Sequence, residues 1–593
     1  MSFFKTLFAS VLGTFLALFL ILLVLIAGLM SSSSQPEPYL QEKTVLTIDL
    51  SGTIPARTIQ DPLQELLSGP QRSVSLERLK ESLEKAAADD RIAGVWITAS
   101  RITTSWSTLE SARDYLKQFR EESDKFLYFT TNDIGMIESA YFLASAADSI
   151  FFPPETYFEF NGFAIQTSYY SELLDKIGID PEIIRAGSYK SAVEPFLRTD
   201  SSPENREQLT AILNSVSDTF RNAVSSGRGL PPEQIDRQLN ELPENSIEYA
   251  LETGLIDGIA YRHEVEQIIQ ERLQLGEKDE LHTTSIARYS RVSASSAGLS
   301  EPSTDNRIAV IHASGMIVPS SIETPFRSEP IITDRNIRES LEDALENDQV
   351  KSIVIHIDSG GGATSTSELI YKQIREAAKK KPVVAYLGNV AASGGYYIAM
   401  GANQVISSPN TITGSIGVYN MMFNTSSLYN DHLGVFFETF KTHDHADMSM
   451  MTRPLTDGER MAVRRRVEST YERFLDIVSE SRGMNRNEVH EVAQGRVWTG
   501  QDASQRGLVD QLGDLQEAVV RAAELAEIEE YRLLSYPKPK DLFQVLFQSA
   551  DASVRSWLSD TIPFYGEHKQ VEDLVRHHAN RNWAVMPVKF HIQ

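Results

Sequence analysis

The chain repeats itself over a long period, and that bounds its fold more tightly than any other feature. Residues 133–163 read "DIGMIESAYFLASAADSIFFPPETYFEFNGF", and residues 389–420 read "NVAASGGYYIAMGANQVISSPNTITGSIGVYN". Tyr141, Ala144, Ala147, Pro154, Thr156 and Gly162 match Tyr396, Ala399, Ala402, Pro409, Thr411 and Gly417, each at 417 − 162 = 255 residues. A period of this length means two tandem domains and excludes a short-repeat solenoid. It also suits the size, because 593 residues exceed what one hydrophobic core usually supports. At the same offset, Ser393 of the second copy becomes Glu138 in the first.

Other matches keep the same order in both halves. "VLTIDLSGTI" from Val45 pairs with "IAVIHASGMI" from Ile308, "DDRIAGVWI" from Asp89 with "NDQVKSIVI" from Asn347, and "YALETGLIDGI" from Tyr249 with "DASQRGLVDQL" from Asp502. Each half opens on a β-branched run. An amphipathic helix follows, "SVSLERLKESLEKAAADD" or "ITDRNIRESLEDALEND", then an apolar strand, a helix and another strand. That alternation predicts βαβ units around mostly parallel strands, an α/β fold made twice. Long helices are expected near 202–226 and 457–482, each after a turn-rich segment with capping residues and early acids. The expected layout is a first repeat over 43–275, a Ser-rich linker over 276–305, a second repeat over 306–530, and a tail over 531–593 without a counterpart.

The N-terminus reads "MSFFKTLFASVLGTFLALFLILLVLIAGLMSSSSQPEP", without charge between Lys5 and Glu37. A helix over 7–30 would rise about 36 Å, enough for a bilayer core of about 30 Å. A cleavable signal peptide has a shorter apolar core, roughly 7–15 residues, and an A-x-A-like site that "IAGLMSSSS" matches poorly. The expectation is a single retained anchor at 7–30, with residues 1–6 in the cytoplasm, a linker over 31–42, and the body on the outer face of the cytoplasmic membrane. A net charge of −25 argues against nucleic-acid binding, which needs a basic face. The chain has no cysteine, so a disulfide framework, a thiolate zinc site and a cysteine nucleophile are excluded.

Chemistry concentrates in three stretches. "IVIHIDSGGGATSTSELIYKQI" is a strand, a glycine turn and a helix, where backbone N–H groups can face a ligand. The matching first-half stretch, "VWITASRITTSWSTLESARDY", has no glycine. In "GNVAASGGYYIAM", Ser393 lies among small residues at the start of a helix, and Gly394 can direct its N–H at an oxyanion. The plain alternative is that Ser393 only caps the helix. A serine nucleophile needs a base. No histidine has the setting for it: His356 lies in a strand, and "THDHAD" around His443 and His445 reads as a solvated loop in preference to a metal site. The other candidate is Lys190 in "IIRAGSYKSAVEPF", a lysine among small and apolar residues whose pKa would fall if it were desolvated. The first half thus has the lysine without the serine, and the second the serine without the lysine. One site that draws on both halves would explain both losses.

"GSYKSAVEPF", "AASGGYYIA", "TGSIGV" and "DSGGG" together resemble the long tandem form of bacterial signal peptide peptidase A, also called protease IV, from the anchor to about residue 530. The resemblance implies two Clp-protease/crotonase-like domains and a Ser/Lys dyad, with no metal or other cofactor. It implies Ser393 as nucleophile, Lys190 as general base, Ser415 as the serine that supports the lysine, and Gly361 and Gly394 as oxyanion donors. Cleaved signal peptides as substrates and a homotetramer are implied in the same way. Gly360 departs from the family pattern, which has proline there (D-S-P-G-G), and proline fixes φ where glycine does not. Two rival readings remain: a crotonase-like acyl-CoA enzyme, and a membrane scaffold in which Ser393 is a helix cap.

Overall fold

The structure is a computed structural model. It describes residues 37–538 apart from 58–73, 132–134, 242–246, 277–278, 301 and 321–329, together with 583–585 and a few positions between 6 and 17. Most of the expected anchor at 7–30 falls outside the described residues. Among those residues no helix is long and apolar enough to cross a membrane.

Each half builds a parallel sheet with helices on both faces. In the first, the strands run in the order Thr283–Ser285, Thr44–Gly52, Ile92–Ile102, Phe126–Thr130, Ser149–Phe152, Gly258–Ile259. In the second, Arg532–Tyr536, Arg307–Ser314, Val350–Ser359, Val383–Ala392, Gln404–Ser407 and Gln511–Leu512 repeat that order. A second branch leaves the end of Val383–Ala392 through Ile412–Gly414 to Val497–Thr499. Strands buried on both faces need apolar side chains at successive positions, which is why Ile353, Val354 and Ile355 follow one another. Each half has its own main core.

The duplication extends to individual hydrogen bonds. The Tyr141 hydroxyl donates to the Leu255 carbonyl at 2.6 Å, and the Tyr396 hydroxyl to the Leu508 carbonyl at 2.7 Å. Asp257 accepts from Arg228 and from the Ile150 N–H, both at 2.8 Å. Asp510 accepts in the same way from Arg482 and the Val405 N–H. The long helices are Pro203–Arg228 and Asp457–Arg482. Ser202 and Thr456 cap their N-termini, and Gly229 and Gly483 end them in the left-handed conformation.

Two boundaries differ from those read in the sequence. The segment 276–305 is part of the first domain: Thr283–Ser285 pairs parallel with residues 45–47, and Ile286, Tyr289, Val292 and Ala297 are buried in its core. Its serine content hides an apolar residue at every third position from 286 to 292. The second domain likewise runs past residue 530. Arg532–Tyr536 pairs with Arg307–Ile311 and is the counterpart of Thr283–Ser285.

One ladder joins the halves close to the motifs. Asp180–Ala186 of the first repeat pairs antiparallel with Val418–Asn424 of the second, from Asp180↔Asn424 to Ala186↔Val418. Lys190 follows four residues after Ala186, and Ser415 precedes Val418 by three. This register therefore brings the two motifs to the same place.

Candidate active site

Ser393 follows the strand Val383–Ala392 directly and precedes the helix Gly394–Ala399. Its backbone has φ 55° and ψ −116°, a conformation that side chains rarely adopt. Such a residue stores roughly 1–3 kcal/mol of strain and persists only where its surroundings hold it. Two contacts do so here. The Ser393 N–H donates to the Gly414 carbonyl at 2.8 Å. Gly395 lies so close to the Ser359 carbonyl that a Cβ there would sit 2.3 Å from the oxygen. The Ser393 side chain makes no helix-capping bond. Its Oγ faces the Lys190 Nζ at 2.9 Å.

Lys190 is fully buried. Its Nζ also meets Ser415 Oγ at 2.9 Å and the Ser415 carbonyl at 3.0 Å. Burial alone holds its pKa well below the usual lysine value, because a charged amine loses its hydration there and no charged neighbour among the described residues compensates. A neutral amine with a free lone pair at this distance can take a proton from a hydroxyl. Ser415, like Ser393, has a positive φ, 52°, and its N–H donates to the Arg496 carbonyl at 2.7 Å.

Gly361, with φ 100°, starts the short strand Gly361–Ala363 next to this group. Its N–H meets Ser359 Oγ at 3.1 Å, and that hydroxyl donates to the Gly315 carbonyl at 2.6 Å. Gly394 is the first residue of its helix, where an N–H has no intrahelical partner. Asp358 and Asn389 brace the glycine turn. The Asp358 carboxylate accepts from the Val390 N–H and the Asn389 amide, and Asn389 Oδ1 accepts hydroxyl bonds from Ser105, Ser107 and Thr108 of the first repeat.

In the first copy, Glu138 fills the place of the serine. It is buried, and it accepts the N–H groups of Asn161 and Gly162 at 2.8 and 3.1 Å. Burial pushes its pKa up to about 7. Of the histidines, His356 is core: it is buried, meets His312 and packs beside Tyr386. His445 is exposed and meets Glu459 at 3.0 Å. Among the described residues no cluster of histidine and carboxylate side chains is grouped to hold a metal.

One part of the site was not found in the sequence. The loop Gln494–Arg496 of the second repeat clamps the Lys190 loop. Gln494 accepts the Tyr189 N–H at 2.9 Å, and the Gly495 N–H donates to the Ile416 carbonyl at 2.8 Å. A Cβ on Gly495 would lie 2.6 Å from Lys190 Cβ, and its φ of 80° favours glycine as well. Comparing the copies could have found it. With Tyr249 aligned to Asp502, the first copy has Leu242 where the second has Gly495 (495 − 253 = 242).

The model of peptidase family S49 matches residues 133–276 and 375–529. The chain is 34% identical over 496 residues to the chloroplastic serine protease SPPA of Arabidopsis thaliana, covering 83% of this chain and 71% of that one. It is 31% identical to protease 4 of Salmonella typhi, covering 87% and 84%. With protease 4 of Haemophilus influenzae it shares 29%, covering 86% and 83%. The matched regions fall one in each repeat, and relatives of this coverage span both, so the chain belongs to peptidase family S49 in its tandem-domain form and is a serine protease.

Proposed function

We propose that this protein is a membrane-anchored endopeptidase whose Ser/Lys dyad is split between its two repeats, and that it degrades cleaved signal peptides and similar apolar peptides. Neutral Lys190 takes the proton of Ser393 Oγ, and Oγ attacks the peptide carbonyl. The developing oxyanion meets the N–H groups of Gly394 and Gly361, the latter released from Ser359 Oγ. Lys190 returns the proton to the leaving amine, and water then frees the acyl group by the same route. Ser415 orients the lysine and takes no part in bond making.

The observation that carries this reading is the 2.9 Å contact between a fully buried lysine and a strained, non-capping serine. The absent cap bond also speaks against Ser393 as a structural residue. By resemblance, the chain is anchored through residues 7–30 in the cytoplasmic membrane, with its body on the outer face, and works as a homotetramer. The test uses a fluorophosphonate probe and a fluorogenic apolar peptide. The probe should label the wild type at Ser393, and Ser393→Ala and Lys190→Arg should both lose peptidase activity, since a guanidinium stays protonated. Retention by Lys190→Arg of more than about a tenth of wild-type kcat would contradict the dyad, because general-base loss typically costs roughly 10²–10⁴-fold.

A further inference from the structure

The strand that begins with Gly361 belongs to a second, smaller sheet. Its order is Ile331–Ile332, Met316–Ile317, Gly361–Ala363, Trp583–Val585, Val418–Asn424, Asp180–Ala186. One edge of Gly361–Ala363 is taken by Met316–Ile317, and one edge of Val418–Asn424 by Asp180–Ala186. The two inner edges face each other across a slot one strand wide, about 9–10 Å at the usual interstrand spacing of about 4.8 Å. Residues 583–585 fill it. They pair antiparallel with Gly361–Ala363, Gly361↔Val585 through Ala363↔Trp583, and Trp583 pairs with Tyr419 on the other side. They also lie against the helix Gly394–Ala399.

This slot runs along the elements that carry Gly361, Ser393 and Ser415. Gly361 forms one wall, Ser393 lies at the start of the adjacent helix, and Ser415 comes just before the opposite wall. An extended peptide that brings a carbonyl to Ser393 must lie here, adding its backbone to the open edges as a strand. The occupying stretch, "WAV", is apolar, which is the class of peptide proposed as substrate. Peptide and tail cannot occupy a one-strand slot together.

We infer that residues 583–585 act as an internal pseudosubstrate, a segment of the chain's own tail that occupies the peptide slot between Gly361–Ala363 and Val418–Asn424 and must leave before a substrate can bind. The inference rests on the active-site reading above and adds a competitor to it.

The full chain has no cysteine of its own, so a disulfide can lock the tail in place. Directly paired antiparallel residues have Cα atoms about 4.5–5.5 Å apart, within disulfide range. In the double variant Ala363→Cys, Trp583→Cys, oxidation should form the bond, lower kcat/KM for a short apolar peptide at least about tenfold, and slow fluorophosphonate labelling of Ser393. A reductant should restore both. Conversely, Ala584→Pro removes an N–H from the middle of the strand. It should lower KM and leave kcat unchanged, since saturating substrate already displaces an internal competitor. A disulfide that does not form, one that forms without loss of activity, or an unchanged KM in Ala584→Pro would each overturn the inference. Ser393→Ala separates the two levels. If that variant stays active, the active-site reading itself fails. If it is inactive while the tail variants behave as wild type, only the tail proposal falls.

Discussion

Lys190→Met should change the number of protons taken up when the protein unfolds. In the native chain the lysine is fully buried, makes no contact with a carboxylate among the described residues, and has its pKa pushed well below the ordinary value by lost hydration. Once unfolded, it returns to about 10.4 and at pH 8.5 is about 99% protonated. If the folded form is neutral at that pH, unfolding binds close to one proton that Lys190→Met does not bind. By linkage, this one proton is a slope of about 1.4 kcal/mol per pH unit. The folded pKa is the lower one, so the unfolded chain holds the extra proton between the two values. Stability from this group therefore rises with pH across that window, and the advantage of Lys190→Met shrinks by the same slope. The assay is urea unfolding in weakly buffered solution with a pH indicator, on wild type and variant from pH 7 to 9. It counts protons directly and needs no two-state assumption. A difference below about 0.3 proton per chain throughout that range would mean a folded lysine already charged, which cannot serve as the base.

Other outcomes follow from the same geometry. Ser415→Ala should lower kcat roughly 10- to 100-fold, the scale of a lost outer-shell contact at a metal site taken as analogy; a loss equal to that of Ser393→Ala would give Ser415 a chemical role. Gly495→Ala forces a methyl to 2.6 Å from Lys190 Cβ at a φ of 80°, so peptide hydrolysis should fall at least about tenfold with destabilisation of roughly 1–3 kcal/mol; unchanged kinetics would show that the clamp does not position the lysine. Glu138→Gln should leave kcat intact. The wild-type carboxyl has its pKa raised to about 7 by burial, so its folded form holds the extra proton and stability falls as pH rises from about 4.5 to 7. The variant's relative stability should therefore grow between pH 5 and 8, by at most about 3 kcal/mol, and a pH-independent difference in urea midpoints would contradict this. Carbonate extraction of native membranes should leave the full-length chain in the pellet, and a mature N-terminus near Ser31 would rule out a retained anchor.

Much of this molecule was legible because it is written twice. The difference between the copies isolates Ser393 and the glycine turn in the second half and Lys190 in the first, and the structure brings Lys190 and Ser393 to 2.9 Å. The capped helices from Pro203 and Asp457 followed from local chemistry alone. What stayed hidden depends on long-range pairing. Thr283–Ser285 is a strand only because residues 45–47 offer an edge, and its three residues carry no period of their own. The slot filled by Trp583–Val585 requires the ladder between Asp180–Ala186 and Val418–Asn424, and a register between such distant segments leaves no local pattern. The positive φ of Ser393 was equally invisible, since nothing about serine announces it.

On the proposed dyad, the clamp at Gln494–Arg496 sets a timetable for the chain's activity. The lysine comes from residue 190, the serine from residue 393, and the loop that fixes their meeting from residues 494–496. If these three segments make the site, a ribosome must translate more than four-fifths of the 593 codons before any peptide bond can be attacked. Until then the emerging polypeptide holds a serine without its base, or a base without its brace. On that reading a growing chain cannot cleave itself or its neighbours.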